Sequence, residues 1–291
     1  MGNLRLKETL TSNANYIAVI DCLTHADYQS GRRHYEDVTV YVASKLSRSC
    51  NNKVDFFTCN SISELESCFE GMFIKFLNGN IKPMLFIHAH GDKDNGLSLP
   101  DKSFMSWYLM IELYNKIMDF CGGHLTVIAG FCHSLNIIKY IEKSRKSPFS
   151  FYYGYESDVS AGDVEREMDT ISRSLINNGG ESLRINLSQL KIKMYSEYDH
   201  IKPLLLSGLL MISNPSLLSK FSPDLSIGNV KKRLSENHIG PRGGLDRSIL
   251  NNIRDGSYIK WAINDIMHDT DRKDDYLRAI DSYIQDVKKG R

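Results

Sequence analysis

The sequence has no long hydrophobic run. Its most apolar stretch, Pro203 to Ile212, is far too short to cross a bilayer as a helix, which takes about 20 apolar residues. The amino-terminal Met1 to Leu6 has no apolar core of signal-peptide length. Leu6 also stands where a myristoylation motif at Gly2 needs Ser or Thr. No membrane partner is therefore expected. An excess of one charge is missing too: 36 Lys and Arg against 35 Asp and Glu leave a net charge of +1. That balance gives no bulk attraction to nucleic acid, so no nucleic-acid partner is expected either. The six cysteines, Cys22, Cys50, Cys59, Cys68, Cys121 and Cys132, show no CxxC pair and no regular spacing. This argues against a disulfide framework and for reduced thiols in a cytoplasmic protein. Nothing repeats at a fixed period, and no segment is of low complexity.

What is present is an ordinary globular composition, 42% hydrophobic and 24% charged over 291 residues. The length allows one large domain or a catalytic domain with an appendage. Tyr16–Asp21 and residues 54–59 read as buried strands. Residues 34–46 have a helical rhythm through Val38, Val42 and Leu46, and 24–33 read as a loop. Ser61 and Glu64 form a Ser-x-x-Glu capping box before a helix that runs to about Leu77. Two further apolar runs follow, one from Ile81 to His90 and one from His124 to Cys132. Short apolar runs with polar or Gly boundaries suit strands buried on both faces of a parallel sheet. Between them lie a loop with a short hairpin arm at Leu97–Leu99 and a helix over 103–120 closed by Gly122 and Gly123. A helix over 136–143, a strand over 149–155 and a helix over 161–177 complete the alternation, stopped by Gly179 and Gly180.

This pattern predicts an α/β fold, a three-layer arrangement with a mostly parallel sheet flanked by helices, plus a helical C-terminal region. The expected domains are 14–212 and 213–291. Residues 185–212 are ambiguous and read as a helix followed by a last strand. From Ser216 the chain reads as helices broken by Pro223, Gly228 and a Gly240–Gly244 linker. Leu245 to Lys289 is expected to be helical and charged, a packing appendage with no catalytic group.

Ligands and catalytic groups collect at the carboxyl ends of parallel strands. If the two central runs are neighbours, His90 and Cys132 meet at one edge of the sheet. A histidine beside a thiol favours the reactive thiolate.

The order of elements, with His90-Gly91 ending one strand and Cys132-His133-Ser134 ending the next, resembles the caspase-like (clan CD) cysteine peptidases. The resemblance is closest to the CHAT-domain and metacaspase-type proteases and covers about residues 14–180. Cys132-His133-Ser134 is similar to the metacaspase nucleophile motif. The interval from His90 to Cys132 is close to the roughly 50-residue spacing of caspases. The run Tyr153 to Val159 looks like the segment after the nucleophile strand in CHAT proteases. The departures are Gly130-Phe131-Cys132-His133-Ser134 in place of the caspase Gln-Ala-Cys-x-Gly, and Gly130 where metacaspases carry an acid.

The resemblance implies a cysteine endopeptidase with a His90–Cys132 dyad, with no cofactor and no metal. Its partners would be a protein or peptide substrate and an activating or delivering protein, in a defence or cell-death pathway. The backbone N–H groups of Gly91 and Cys132 would form the oxyanion hole. An α-helix after Cys132 would set its N-terminus near the sulfur. Asp21, Glu156 and Asp158 are candidates to line the substrate pocket. Arg32 and Arg33 are candidates to hold an acidic substrate side chain. His88 reads as a packing or supporting residue, and His133 as structural or substrate-facing.

Two other readings compete. His88-Ala89-His90-Gly91-Asp92 resembles the start of the metallo-β-lactamase motif, so His88, His90 and Asp92 could hold zinc in a hydrolase. That motif continues with a histidine where this chain has Lys93. The third reading is a non-catalytic caspase-like interaction module.

Overall fold

A computed structural model describes residues 14–45, 53–77, 81–142, 146–177, 187–213, 255–268 and 270–289. The expectations for Gly179 and Gly180, Pro223, Gly228, the 240–244 linker and residues 245–254 lie outside the described residues. The sheet strands are β1 (Tyr16–Asp21), β2 (Lys53–Thr58), β3 (Pro83–His88), β7 (Thr126–Gly130), β8 (Phe151–Gly154) and β9 (Lys193–Ser196). A small hairpin sheet is made of β4 (His90–Asp92), β5 (Gly96–Ser98) and β6 (Phe104–Met105). The helices are α1 (Ser30–Lys45), α2 (Ile62–Phe76), α3 (Trp107–Phe120), α4 (Ala161–Asn177) and α5 (Glu197–Ser213). Those of the C-terminal region are α6 (Ser257–Ile266) and α7 (Asp271–Lys288).

The protein is α/β. Its six-stranded sheet has the order β2-β1-β3-β7-β8-β9, parallel throughout except for β9, which runs antiparallel to β8. The apolar runs become strands because both faces are covered. Along β1, Tyr16, Ala18 and Ile20 point into one core with α2 and α3. Ile17 and Val19 point into another core, packed with residues of α1 and α4. Strict alternation of side-chain direction along a strand produces that division. A fully buried aliphatic side chain contributes about 1.5–3 kcal/mol, so both layers hold the sheet.

Helix ends follow their local chemistry. Ser61 Oγ accepts the Glu64 N–H at 3.2 Å, and the Glu64 carboxylate accepts the Asn60 N–H at 2.8 Å. The last turn of α3 closes over Gly122 and Gly123, both at positive φ, with the Gly123 N–H donating to Met118 O at 2.9 Å. Glu167, buried in α4, accepts the backbone N–H groups of Lys191 and Ile192, each at 3.0 Å. That carboxylate brings the chain back to the sheet edge as β9.

Several elements differ from expectation. The helix expected over 103–120 starts at Trp107, capped by Ser106, because Phe104 and Met105 pair with Ser98 and Leu97. α1 begins at Ser30, absorbing part of the expected loop. The helix after Cys132 is a 3-10 helix over Ser134–Tyr140, entered through His133 at φ 57°. The ambiguous segment has the reverse order, strand β9 then helix α5. Its apolar residues Ile201, Leu205, Leu209 and Ile212 recur at the helical spacing and are buried in a separate core with α6 and α7.

The chain divides between Glu197 and Tyr198 into two compact units, so α5 goes with the C-terminal helices, whereas the sequence reading divides the chain at 212. α7 is capped by Thr270 and carries Asp271 and Asp274 in its first turn and Lys288 in its last, matching the helix dipole at both ends. Among the described residues no helix is long and apolar enough to cross a membrane.

Candidate active site

The carboxyl edge of the sheet is set by register. Asp21 pairs with Thr58 on one side and His88 on the other, and His88 pairs with Gly130. His90 and Cys132 each lie two positions past that row, on segments that leave neighbouring parallel strands. Gly91 fixes how close they come. A Cβ on Gly91 would lie 2.0 Å from the Cys132 carbonyl oxygen and 2.7 Å from the Phe131 ring. Only a residue without a side chain allows that approach.

The loop after β8 holds the Cys132 turn from the other side. The Val159 N–H donates to Cys132 Sγ at 3.3 Å, and the thiol lies 3.7 Å from Val159 O. The His133 N–H donates to Ser157 O at 3.3 Å and the Leu135 N–H to Tyr155 O at 3.0 Å. Buried Ser134 accepts the Tyr155 N–H at 2.8 Å and donates to Ala129 O at 3.2 Å. A side chain at Gly154 would meet Ser134 Oγ at 2.7 Å, so this contact also requires glycine. Asn136 ties the same turn to the β4–β5 hairpin through Lys93 O at 2.9 Å. The thiol thus sits on a fixed backbone, partly exposed.

The two histidines of the His-x-His pattern have opposite surroundings. His88 is fully buried, with Nδ1 3.1 Å from Ser30 Oγ and Nε2 3.0 Å from His34 Nδ1. Burial, with the neighbouring His34 ring, pushes its basicity well down. The His90 side chain is 63% exposed, and its Nε2 faces Asp27 Oδ1 at 3.0 Å. Asp92 is turned into its own hairpin, accepting from the backbone of Asp94 and Asn95 and from the Asn95 amide. His88, His90 and Asp92 are therefore each committed elsewhere. Among the described residues no group of three or more His, Cys, Asp or Glu is placed to hold a metal ion.

The pocket candidates separate. Asp158 and Glu156 lie on the loop that holds Cys132: Asp158 Oδ1 is 3.0 Å from His133 Nε2, and Glu156 O is 3.3 Å from His133 Nδ1. Asp21 ends β1 and is only 5% exposed. It accepts the Leu23 N–H at 3.2 Å and has Gly31 packed directly against its carboxyl group. Burial raises that carboxyl above its ordinary range. Arg32 pairs with Glu36, and Arg33 lies over the Tyr28 ring beside Glu165. Gly130 is closely packed by α4: a Cβ there would meet Met168 and Val164 at 2.8 and 3.0 Å, so an acid would have to displace them.

Three groups at this edge escaped the sequence reading: Asp27 against His90, Ser30 and His34 around His88, and the Val159 amide on the sulfur. A lone acid in a loop and a backbone N–H carry no sequence signal; His34 at the start of a helix was legible only as a helical residue. No protein-family model matches the chain, and no curated protein sequence does.

Proposed function

We propose that the chain is a cysteine-type endopeptidase, with Cys132 as nucleophile and His90 as general acid and base. The observation that supports this reading is the seat of Gly91 on the Cys132 carbonyl, on segments that leave adjacent parallel strands. The thiolate adds to the scissile carbonyl. The C–N bond then breaks as His90 protonates the leaving amine, giving a thioester. Water attacks the thioester while His90 takes its proton, releasing the new carboxylate and the Cys132 thiol. The N–H groups of Gly91 and Cys132 are the donors proposed for the oxyanion. The Val159 N–H on the sulfur supports the thiolate.

The substrate is a protein or peptide, with Glu156 and Asp158 as the acidic groups around its binding edge; Asp21, buried against Gly31, is not among them. The free thiols of Cys22, Cys59, Cys68, Cys121 and Cys132 suit a reducing, cytoplasmic setting. An activating or delivering protein, in a defence or cell-death role, completes the proposal.

The test is cleavage of a mixed peptide library by the full chain and its variants, with and without a chelator. Cys132→Ala and His90→Ala should each abolish turnover while the fold is kept, because nucleophile and base act as one unit. The chelator should have no effect. An active Cys132→Ala protein would end this reading. Turnover lost to the chelator and to His88→Ala would point to a zinc hydrolase, and absence of turnover in every form to a non-catalytic module.

A further inference from the structure

We infer that Asp27 is a positioning residue for His90, holding its Nε2 so that Nδ1 is left for Cys132; the inference rests on the dyad proposed above. Asp27 lies in the β1–α1 connection, where its two carboxylate oxygens have separate tasks. Oδ2 accepts both the N–H and the hydroxyl of Thr24, each at 2.8 Å. Oδ1 faces His90 Nε2 at 3.0 Å. The carboxylate is therefore oriented before it meets the ring, so little side-chain freedom is lost in holding it.

The loop that carries Asp27 is itself braced. The Gln29 amide donates to Thr24 O at 2.9 Å and to Asp27 O at 3.0 Å. Tyr28 donates to Glu165 of α4 at 2.6 Å and accepts from Arg33 at 2.7 Å. Partial burial pushes the Asp27 carboxyl up. Hydrogen bonds from the Thr24 side chain and backbone and from His90 outweigh it, and the net direction is down. Asp27 thus offers His90 an ionised acceptor. A carboxylate on one ring nitrogen fixes the imidazole tautomer with the proton on that nitrogen and stabilises the ring when it is charged. His88 cannot take this part, because both its ring nitrogens are engaged in the core.

The experiment uses the full chain with two readouts that need no substrate. Side-chain 15N spectra of His90 report which ring nitrogen carries the proton. Alkylation of Cys132 by iodoacetamide at pH 7, followed by mass spectrometry of its peptide, reports thiol reactivity. The wild type should show the Nε2–H form. Asp27→Ala should shift His90 toward a mixture and slow Cys132 alkylation about fivefold to tenfold, and the isosteric Asp27→Asn should fall between, since it keeps the shape and loses the charge. His90→Ala should slow alkylation at least as much.

An unchanged His90 tautomer in Asp27→Ala would overturn the inference. So would unchanged alkylation in that variant if His90→Ala slows it. If His90→Ala leaves alkylation unchanged while Asp27→Ala still moves the tautomer, Asp27 orients the ring as inferred and it is the dyad that fails.

Discussion

His88 and His90 are separated by one alanine and have opposite physical lives. The first closes a sheet strand and is sealed under α1, with Ser30 and His34 on its ring nitrogens. The second opens a hairpin strand, faces solvent and has a carboxylate on Nε2. Burial without a countercharge makes an imidazole a neutral packing group, whereas an exposed ring beside an acid stays within reach of solvent and substrate. The sheet edge is therefore built as a buried floor carrying an exposed rim. The chemistry proposed for the rim depends on the floor only through backbone position.

The largest effect that would sharpen this contrast is loss of the floor. His88→Ala removes a fully buried ring and leaves Ser30 Oγ and His34 Nδ1 without their partner. Cavity formation and two orphaned polar groups together should destabilise the protein by about 3–4 kcal/mol. Urea unfolding measures this directly. A variant that unfolds at the wild-type midpoint would show that His88 is not a structural ring.

Acid should find the same floor. His34, buried and in edge contact with Phe86, has its pKa lowered to about 4 from the ordinary 6.5. The main cause is burial, with Asp169 opposing it. Because the folded value is depressed, the unfolded chain takes up the proton first. The contribution to stability is present above about pH 6.5 and is lost as the pH falls from there toward 4. At about 1.4 kcal/mol per pH unit, the full loss is about 3 kcal/mol. Urea midpoints at pH 7.5, 5.5 and 4.5 should fall in that direction, and His34→Gln should lessen the slope, leaving the part that buried His88 contributes. An equal slope in the variant would place the acid sensitivity elsewhere.

Much of this edge was legible because burial writes itself as apolar runs. The runs 81–90 and 124–132 read as strands ending on His90 and Cys132, and they contain β3 and β7, each of which ends two residues earlier. Contacts made across the fold were not legible. Phe104 and Met105 become a strand only by meeting Leu97 and Ser98, so a helix was the natural reading. Lys193–Ser196 is an edge strand of only four residues, and the helix after it is sustained by the packing of Ile201, Leu205 and Leu209, which is why strand and helix were read in the reverse order. Asp27 had no periodicity, no motif and no neighbour in sequence to mark it. The missing acid at Gly130 was visible, but its reason, the close packing of α4, was not.

The smallest expected effect is the most diagnostic for the comparison. The side chains of His90 and Asp27 are 63% and 26% exposed, so their pairing is screened by water and salt. Exposed ion pairs contribute about 0–1 kcal/mol, and neither side chain fills the core. His90→Ala should therefore shift the urea-derived stability by less than about 1 kcal/mol and Asp27→Ala, which also loses the two Thr24 hydrogen bonds, by about 1–2 kcal/mol, both below the effect of His88→Ala. Raising the salt concentration should shrink even that difference, because screening weakens the wild-type pair and has no such pair to weaken in the variants. A loss at His90 as large as at His88 would mean that the rim also holds the fold together. Reduced activity in either variant would then be read as damage to the structure and not to the chemistry. A small loss in stability, set against lost turnover, is what separates a rim built for chemistry from a floor built for packing.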